Sequence, residues 1–288
     1  MSSIFSQVNF MSQRADILAS NKLLANYEVA AGKRQYTLGA EGISERMRSY
    51  FNKNLTKEML VSAMTMLMKY KSVKEIKLFY IIAGLETEED VADFKNFLGK
   101  IKEIKAQTGS QARILCSFGL LVRMPYTPLM YERLIMTKEE WEPVVKNIQN
   151  AVTAAGYEFR LTYPYEEYFF SQYLALTNQS MAENLIALND KNFLYDDGVY
   201  PAIWSEFTKL APVTEEFTAE KDDSYNFAFD FIETYTSKKI LYKRFQNAKA
   251  GIETATCMSS NCKGCLNDIY HFRLTFHVLH PTSLLLFR

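Results

Sequence analysis

The sequence is short of cysteine and histidine, has no excess charge of either sign and contains no long apolar run; each shortage removes a class of protein. Four cysteines stand in 288 residues, one alone (Cys116) and three together (Cys257, Cys262, Cys265). That is a poor disulfide framework for a chain of this size, and clustered thiols point instead to metal ligation in a reducing cytoplasm. The 33 Lys and Arg equal the 33 Asp and Glu, so no global basic field draws in nucleic acid, although a local patch stays open. No apolar stretch approaches the ~18 residues that a membrane-spanning helix needs. The start, Met1-Ser2-Ser3-Ile4-Phe5, has neither the charged nor the long apolar segment of a secretory leader. The expectation is a cytoplasmic protein that does not cross a membrane.

What is abundant is apolar surface. Hydrophobic residues make up 48% of the chain and aromatics 14%, enough to bury a sizeable core in one large domain or two smaller ones. Apolar or β-branched stretches recur at residues 36–40, 76–83, 114–122 and 157–163, with an earlier candidate at Val8-Asn9-Phe10-Met11. Residues 76–82 are nearly continuous in apolar character, the pattern of a strand covered on both faces. Helix starts separate the strands. Thr56 precedes a helix whose Met59, Leu60, Ala63, Met64, Leu67 and Met68 share a face. Thr87 precedes Glu88-Glu89-Asp90, acids that favour a helix amino terminus, and Val91, Phe94, Leu98, Ile101 and Ile104 follow as a buried stripe. Thr137 with Glu140 has capping-box spacing ahead of Trp141, Val144, Val145, Ile148 and Val152. Alternation of strand and helix implies a parallel sheet with right-handed crossovers. Ligands of such sheets collect at the carboxyl ends of the strands, here residues 39–46, 83–86 and 122–128.

Those segments carry a resemblance. Gly39-Ala40-Glu41-Gly42-Ile43-Ser44-Glu45-Arg46, followed by Asn52-Lys53-Asn54-Leu55-Thr56, is similar to the fourth-strand signature of the radical S-adenosylmethionine superfamily. Residues 76–90, through Gly84-Leu85-Glu86-Thr87-Glu88-Glu89-Asp90, resemble its fifth strand, without the proline usual after the Gly-Leu. Met124-Pro125-Tyr126-Thr127-Pro128 resembles the ending of the sixth, and Arg14-Ala15-Asp16 fits the approach to the fourth. Trp204 to Phe207 and the terminal cysteines resemble the tail of members that also carry a cobalamin-binding domain. The family's activating CxxxCxxC motif has no counterpart in the amino-terminal region.

The resemblance implies a partial (β/α) barrel over residues 1–163, about the last four strands. A mainly helical extension over 164–288 would end in a Cys-rich knuckle. It implies that Glu41, Ser44 and Arg46 meet the ribose and amino-acid ends of S-adenosylmethionine, while Ile81 and the backbone at Gly84 approach the adenine. Radical chemistry would then require a second polypeptide supplying the amino-terminal half of the barrel and its 4Fe-4S cluster. The alternatives are a non-catalytic remnant or partner-binding scaffold and, disfavoured by the neutral charge, a zinc-knuckle RNA-binding protein.

Read from their own chemistry, Cys257, Cys262 and Cys265 place three thiolates within nine residues, with Gly264 permitting a tight turn. They suit an iron-sulfur cluster or Zn, with Cys116, His271, water or a substrate as fourth ligand. Ser44 also reads as a helix cap and Gly84 as a strand-to-helix turn. The aromatic runs at 163–170 and 225–231 read as core or interface packing, and Lys238-Lys239 with Lys243-Arg244 as a solvated basic face.

Overall fold

The computed structural model describes residues 12–254 except 192, 194–197, 233 and 235. The strand expected at residues 8–11 and the Cys257, Cys262, Cys265 cluster lie outside the described residues. The chain opens with α1 (Ala15–Ser20) and α2 (Lys22–Ala30), then β1 (Gln35–Glu41), α3 (Glu45–Tyr50) and α4 (Lys57–Met68). Next come β2 (Glu75–Ile82), α5 (Glu88–Thr108), β3 (Arg113–Leu120), a 3-10 turn (Pro128–Tyr131), α6 (Lys138–Ala154) and β4 (Glu158–Leu161). Helices α7 (Tyr165–Leu176), α8 (Met181–Asn189), α9 (Tyr200–Leu210), α10 (Glu215–Thr218) and α11 (Lys238–Lys249) follow.

The described strands form one four-stranded, all-parallel sheet in the order β1-β2-β3-β4. That order never reverses, so right-handed crossovers place their helices on the same side of the sheet. Accordingly α4 packs on α1 and α5, and α5 on α6. Along β2 burial alternates: Ile76, Leu78, Tyr80 and Ile82 join the helix-side core, while Lys77, Phe79 and Ile81 stay half-exposed. The expectation that the apolar run of β2 is covered on both faces is therefore corrected. Strand β3 is the one buried on both, from Ile114 to Phe118. On the far edge of β1, Gln13 forms an isolated parallel bridge with Leu38.

Local chemistry explains most element boundaries. Thr56 accepts from the Met59 N–H at the start of α4, and Leu60, Ala63, Met64, Leu67 and Met68 are buried on one face. Thr87 and Asp90 complete a capping box on α5, and Gly109 ends that helix in the left-handed conformation that glycine adopts without steric cost. Thr137 departs from expectation. Its side chain caps no backbone N–H; the hydroxyl donates to the Glu140 carboxylate at 3.1 Å. Helix α6 is held instead by its buried stripe of Trp141, Val145, Ile148 and Val152, each such side chain contributing roughly 1.5–3 kcal/mol.

The helices after β4 share the sheet's core: Tyr168, Phe169, Tyr173 and Phe207 belong to the same buried cluster as the strands. Trp141 meets Tyr168 edge-on, and Phe169 and Tyr173 pack on Trp204. The aromatic run at 163–170 is thus packing surface, with Tyr163 left exposed. A second cluster gathers Met130, Tyr131, Phe227, Leu241 and Phe245 and ties α11 to the 3-10 turn. No helix among the described residues is long and apolar enough to cross a membrane.

Candidate functional site

A cleft of about 470 Å³ opens at the carboxyl ends of β1, β2 and β3. Glu41 comes from the end of β1, Ile81 from β2, and Leu121 to Met124 from the segment leaving β3. Residues 49–53 form one wall, and Thr127, Pro128 and Leu129 another. Arg244 and Ala248 of α11, with Ile252 and Thr254 beyond it, complete the rim.

The backbone around this cleft is unusually constrained. The three non-glycine residues with positive φ among the described residues are Glu41 (62°), Asn52 (52°) and Tyr126 (59°). Glu41 and Asn52 line the cleft, and Tyr126 lies in the chain between the lining residues Met124 and Thr127. Each such conformation carries a cost of about 1–3 kcal/mol that the surrounding structure must overcome, and such residues concentrate at binding sites. The restraints are visible. Lys53 Nζ donates to Glu41 Oε1 at 2.9 Å. Buried Arg48 donates from Nη1 to the Gly42 carbonyl at 3.1 Å and from Nε to the Leu55 carbonyl at 2.6 Å, clamping both turns. The Tyr126 hydroxyl donates to the Phe229 carbonyl at 2.8 Å. Asn52 Oδ1 accepts from the Thr254 N–H at 2.8 Å, which fixes the chain after α11 against the cleft.

Beneath the cleft lies a buried polar group. Arg123 is 1% exposed. Its Nη1 donates to the Leu121 carbonyl at 3.0 Å and to the Tyr168 hydroxyl at 3.4 Å, and its Nη2 to the Ala83 carbonyl at 2.8 Å. Its backbone is gripped by Gln172, which accepts from the Arg123 N–H at 2.7 Å and donates to its carbonyl at 3.1 Å. The buried Tyr50 hydroxyl donates to Glu132 Oε2 at 3.0 Å. Burial, and then the Glu132 charge, raise the Tyr50 phenol far above its ordinary range. Glu86 accepts from the Ala83 and Gly84 N–H groups at 2.7 and 2.8 Å. Burial nonetheless pushes its carboxyl up, because loss of hydration outweighs those bonds.

Of the residues singled out in the sequence, Glu41 and Ile81 meet at the cleft. Ser44 and Arg46 are brought together elsewhere, on Asp90. Ser44 caps α3 by accepting from the Met47 N–H, and its hydroxyl donates to Asp90 Oδ1 at 2.6 Å. Arg46 pairs with the Asp90 carboxylate and donates to the Leu85 carbonyl at 2.7 Å. Gly84 (φ 80°) packs under α6: a Cβ there would stand 2.1 Å from Ile135 Cδ1 and 3.2 Å from the Trp141 ring. Cys116 is buried in the core, its thiol pushed up to about 12 by desolvation.

Sequence reasoning did not single out Tyr50, Arg123 or Arg244 as site residues. The first two sit in or beside segments that it marked, at the end of α3 and after β3. Arg244 was read as part of a solvated basic face, and the structure places it on the cleft. Among the described residues no group of three or more His, Cys, Asp or Glu side chains could hold a metal ion. No family model, curated protein or solved structure matches the chain.

Proposed function

We propose that the chain is the ligand-binding part of a radical S-adenosylmethionine-type barrel, its cleft taking S-adenosylmethionine at the carboxyl ends of the strands. One observation carries the reading: Glu41, one of the residues that resemblance assigns to the ribose and amino-acid ends, and Ile81, which it assigns to the adenine, border the same cleft. The unreversed parallel sheet and the bridge at Gln13 on its edge agree with an arc of a (β/α) barrel. A carboxylate such as Glu41 accepts from ribose hydroxyls, and the apolar face of Ile81 suits a purine. Ser44 and Arg46 serve the site at one remove, by fixing the 83–90 turn through Asp90.

Turnover requires a CxxxCxxC motif and its 4Fe-4S cluster, neither of them within these 288 residues; a second polypeptide is the proposed carrier. The chemistry such a pair supplies is one-electron cleavage of S-adenosylmethionine to methionine and a 5′-deoxyadenosyl radical, which abstracts hydrogen from a substrate. This chain's residues bind, orient and shield. Cys257, Cys262 and Cys265 form the proposed auxiliary iron-sulfur or Zn site; Thr254, on the cleft rim, stands three positions before the first of them.

Calorimetric titration of the full chain with S-adenosylmethionine tests the reading. Glu41→Gln and Ile81→Trp should each weaken binding about tenfold; absence of binding by the unaltered chain at millimolar ligand sinks it. Anaerobic reconstitution with iron and sulfide should give a coloured product that the three Cys→Ala variants lose. A colourless, zinc-only product overturns the auxiliary cluster. A non-catalytic scaffold is the second reading, favoured by the engagement of Ser44 and Arg46 with Asp90 rather than with the cleft.

A further inference from the structure

Two helices end at the rim of the cleft, and both end in the same way. After α3 the Asn52 N–H donates to the Ser49 carbonyl and the Lys53 N–H to the Arg48 carbonyl, both at 2.8 Å. After α11 the Gly251 N–H donates to the Ala248 carbonyl at 3.0 Å and the Ile252 N–H to the Asn247 carbonyl at 2.8 Å. Each is a Schellman turn, which needs one residue in the left-handed conformation. In α11 that residue is Gly251 (φ 66°), the type that adopts it without steric cost. In α3 it is Asn52 (φ 52°), which tolerates the conformation less well than glycine. Asn52 has what glycine lacks: its Oδ1 accepts from the Thr254 N–H at 2.8 Å.

The residues after Gly251 meet that acceptor at the cleft. Ile252 and Thr254 line it beside Ser49 and Asn52, and Glu253 Oε1 accepts from the Ser49 hydroxyl at 3.0 Å. Both helices are anchored, α3 by Met47 and Tyr50 and α11 by Leu241, Phe245 and Ala248, all buried. Residues 252–254 are not. Ile252 is 56% exposed, because the helix positions on which a residue after such a turn usually packs are polar here, Gln246 and Asn247. The two hydrogen bonds to Ser49 and Asn52 lie at exposed positions.

We propose that residues 252–254 form a strap that gates the cleft, hinged at Gly251 and latched by Asn52 and Ser49. The inference rests on the cleft being the ligand site and names how entry to it is controlled. A segment with little buried apolar surface and solvent-exposed hydrogen bonds opens at far lower free energy than the core. Gly251 has nothing within 4 Å of where a Cβ would stand, so the hinge has room to turn. The closed strap adds the Ile252 side chain to the apolar lining and keeps water from a bound ligand. Asn52 stands where glycine would end α3 at lower cost, and the latch is the reason.

The test uses the full chain and two measurements that need no ligand. Amide exchange at Thr254, read by mass spectrometry, follows the strap. Iodoacetamide labelling of Val122→Cys, a lining position, follows access to the cleft. In that background Asn52→Gly should speed both about fivefold, the effect of losing one hydrogen bond. It should cause no fall in Tm, since glycine suits the left-handed position better. Asn52→Asp keeps the side-chain acceptor and should leave both rates unchanged. Ser49→Ala should speed both about threefold. Unchanged exchange at Thr254 in Asn52→Gly overturns the latch and leaves Asn52 as a helix end alone. Faster exchange with unchanged labelling at position 122 overturns the gate. Neither result bears on the titration with S-adenosylmethionine, so failure of the strap and failure of that reading are told apart.

Discussion

Replacing Asp90 should reveal how much of the strand-end architecture rests on one carboxylate. Asp90 is 3% exposed. It accepts from the Ser44 hydroxyl at 2.6 Å, the Thr87 N–H at 2.7 Å, the Thr87 hydroxyl at 3.1 Å and both Nε and Nη2 of Arg46. Hydrogen bonds to a charged partner contribute about 1.5–3 kcal/mol each. The Arg46 side chain is 49% exposed, so its pairing adds only about 0–1 kcal/mol. Thr87 lies at the surface, where water recovers part of its loss. Asp90→Ala should therefore cost about 2–4 kcal/mol, or roughly 5–15 °C in Tm for a domain of this size. Urea unfolding followed by circular dichroism measures it. Burial pushes the Asp90 carboxyl up, yet bonds from Arg46, Ser44 and Thr87 outweigh it and hold the group below its usual range. A depressed folded value means that the stabilisation is present above the unfolded value, about pH 4, and lost as pH falls through the folded one. The stability of Asp90→Asn should show no such fall from this group. A loss below about 0.5 kcal/mol for Asp90→Ala at neutral pH, or strict additivity with Ser44→Ala, refutes the argument.

Two further outcomes follow from packing. Gly84→Ala forces a Cβ to 2.1 Å from Ile135 Cδ1 at a φ of 80°, and should destabilise by about 2–4 kcal/mol in thermal unfolding. Gly99→Ala, in the interior of α5 with nothing within 4 Å of its Cβ, should stabilise by up to about 1 kcal/mol; matching signs for the two would contradict the packing. The Cys116 thiol, buried and pushed up to about 12, should resist iodoacetamide in the native protein at pH 8 and react once urea unfolds it. Peptide mapping by mass spectrometry reads Cys116 separately from the other cysteines, and native-state labelling at the rate of a free thiol would contradict its burial.

The sequence by itself determined the elements of this fold. Four stretches of apolar and β-branched residues became β1 to β4, and Thr56 and Thr87 start their helices, because alternation and capping act over a few residues. Thr137 shows the limit of that locality: spacing suggested a reciprocal cap, and a hydroxyl-carboxylate bond took its place. It also marked the carboxyl ends of the strands as the place for a site, which is where Glu41 and Ile81 meet. Only tertiary structure decided the rest. Whether β2 is covered on one face or both depends on the strand order, which periodicity does not encode. Ser44 and Arg46 carry the chemistry of ligand-binding groups, and Ser44 equally that of a helix cap, but the fold turns them onto Asp90, 44 residues beyond Arg46. Arg123, an ordinary charge in the sequence, became a buried cation because Gln172, Tyr168 and Ala83 converge on it. Arg244 joined the cleft because α11 packs back against the turn after β3. Local chemistry writes the elements, and the long-range juxtaposition of residues far apart in the chain makes the site.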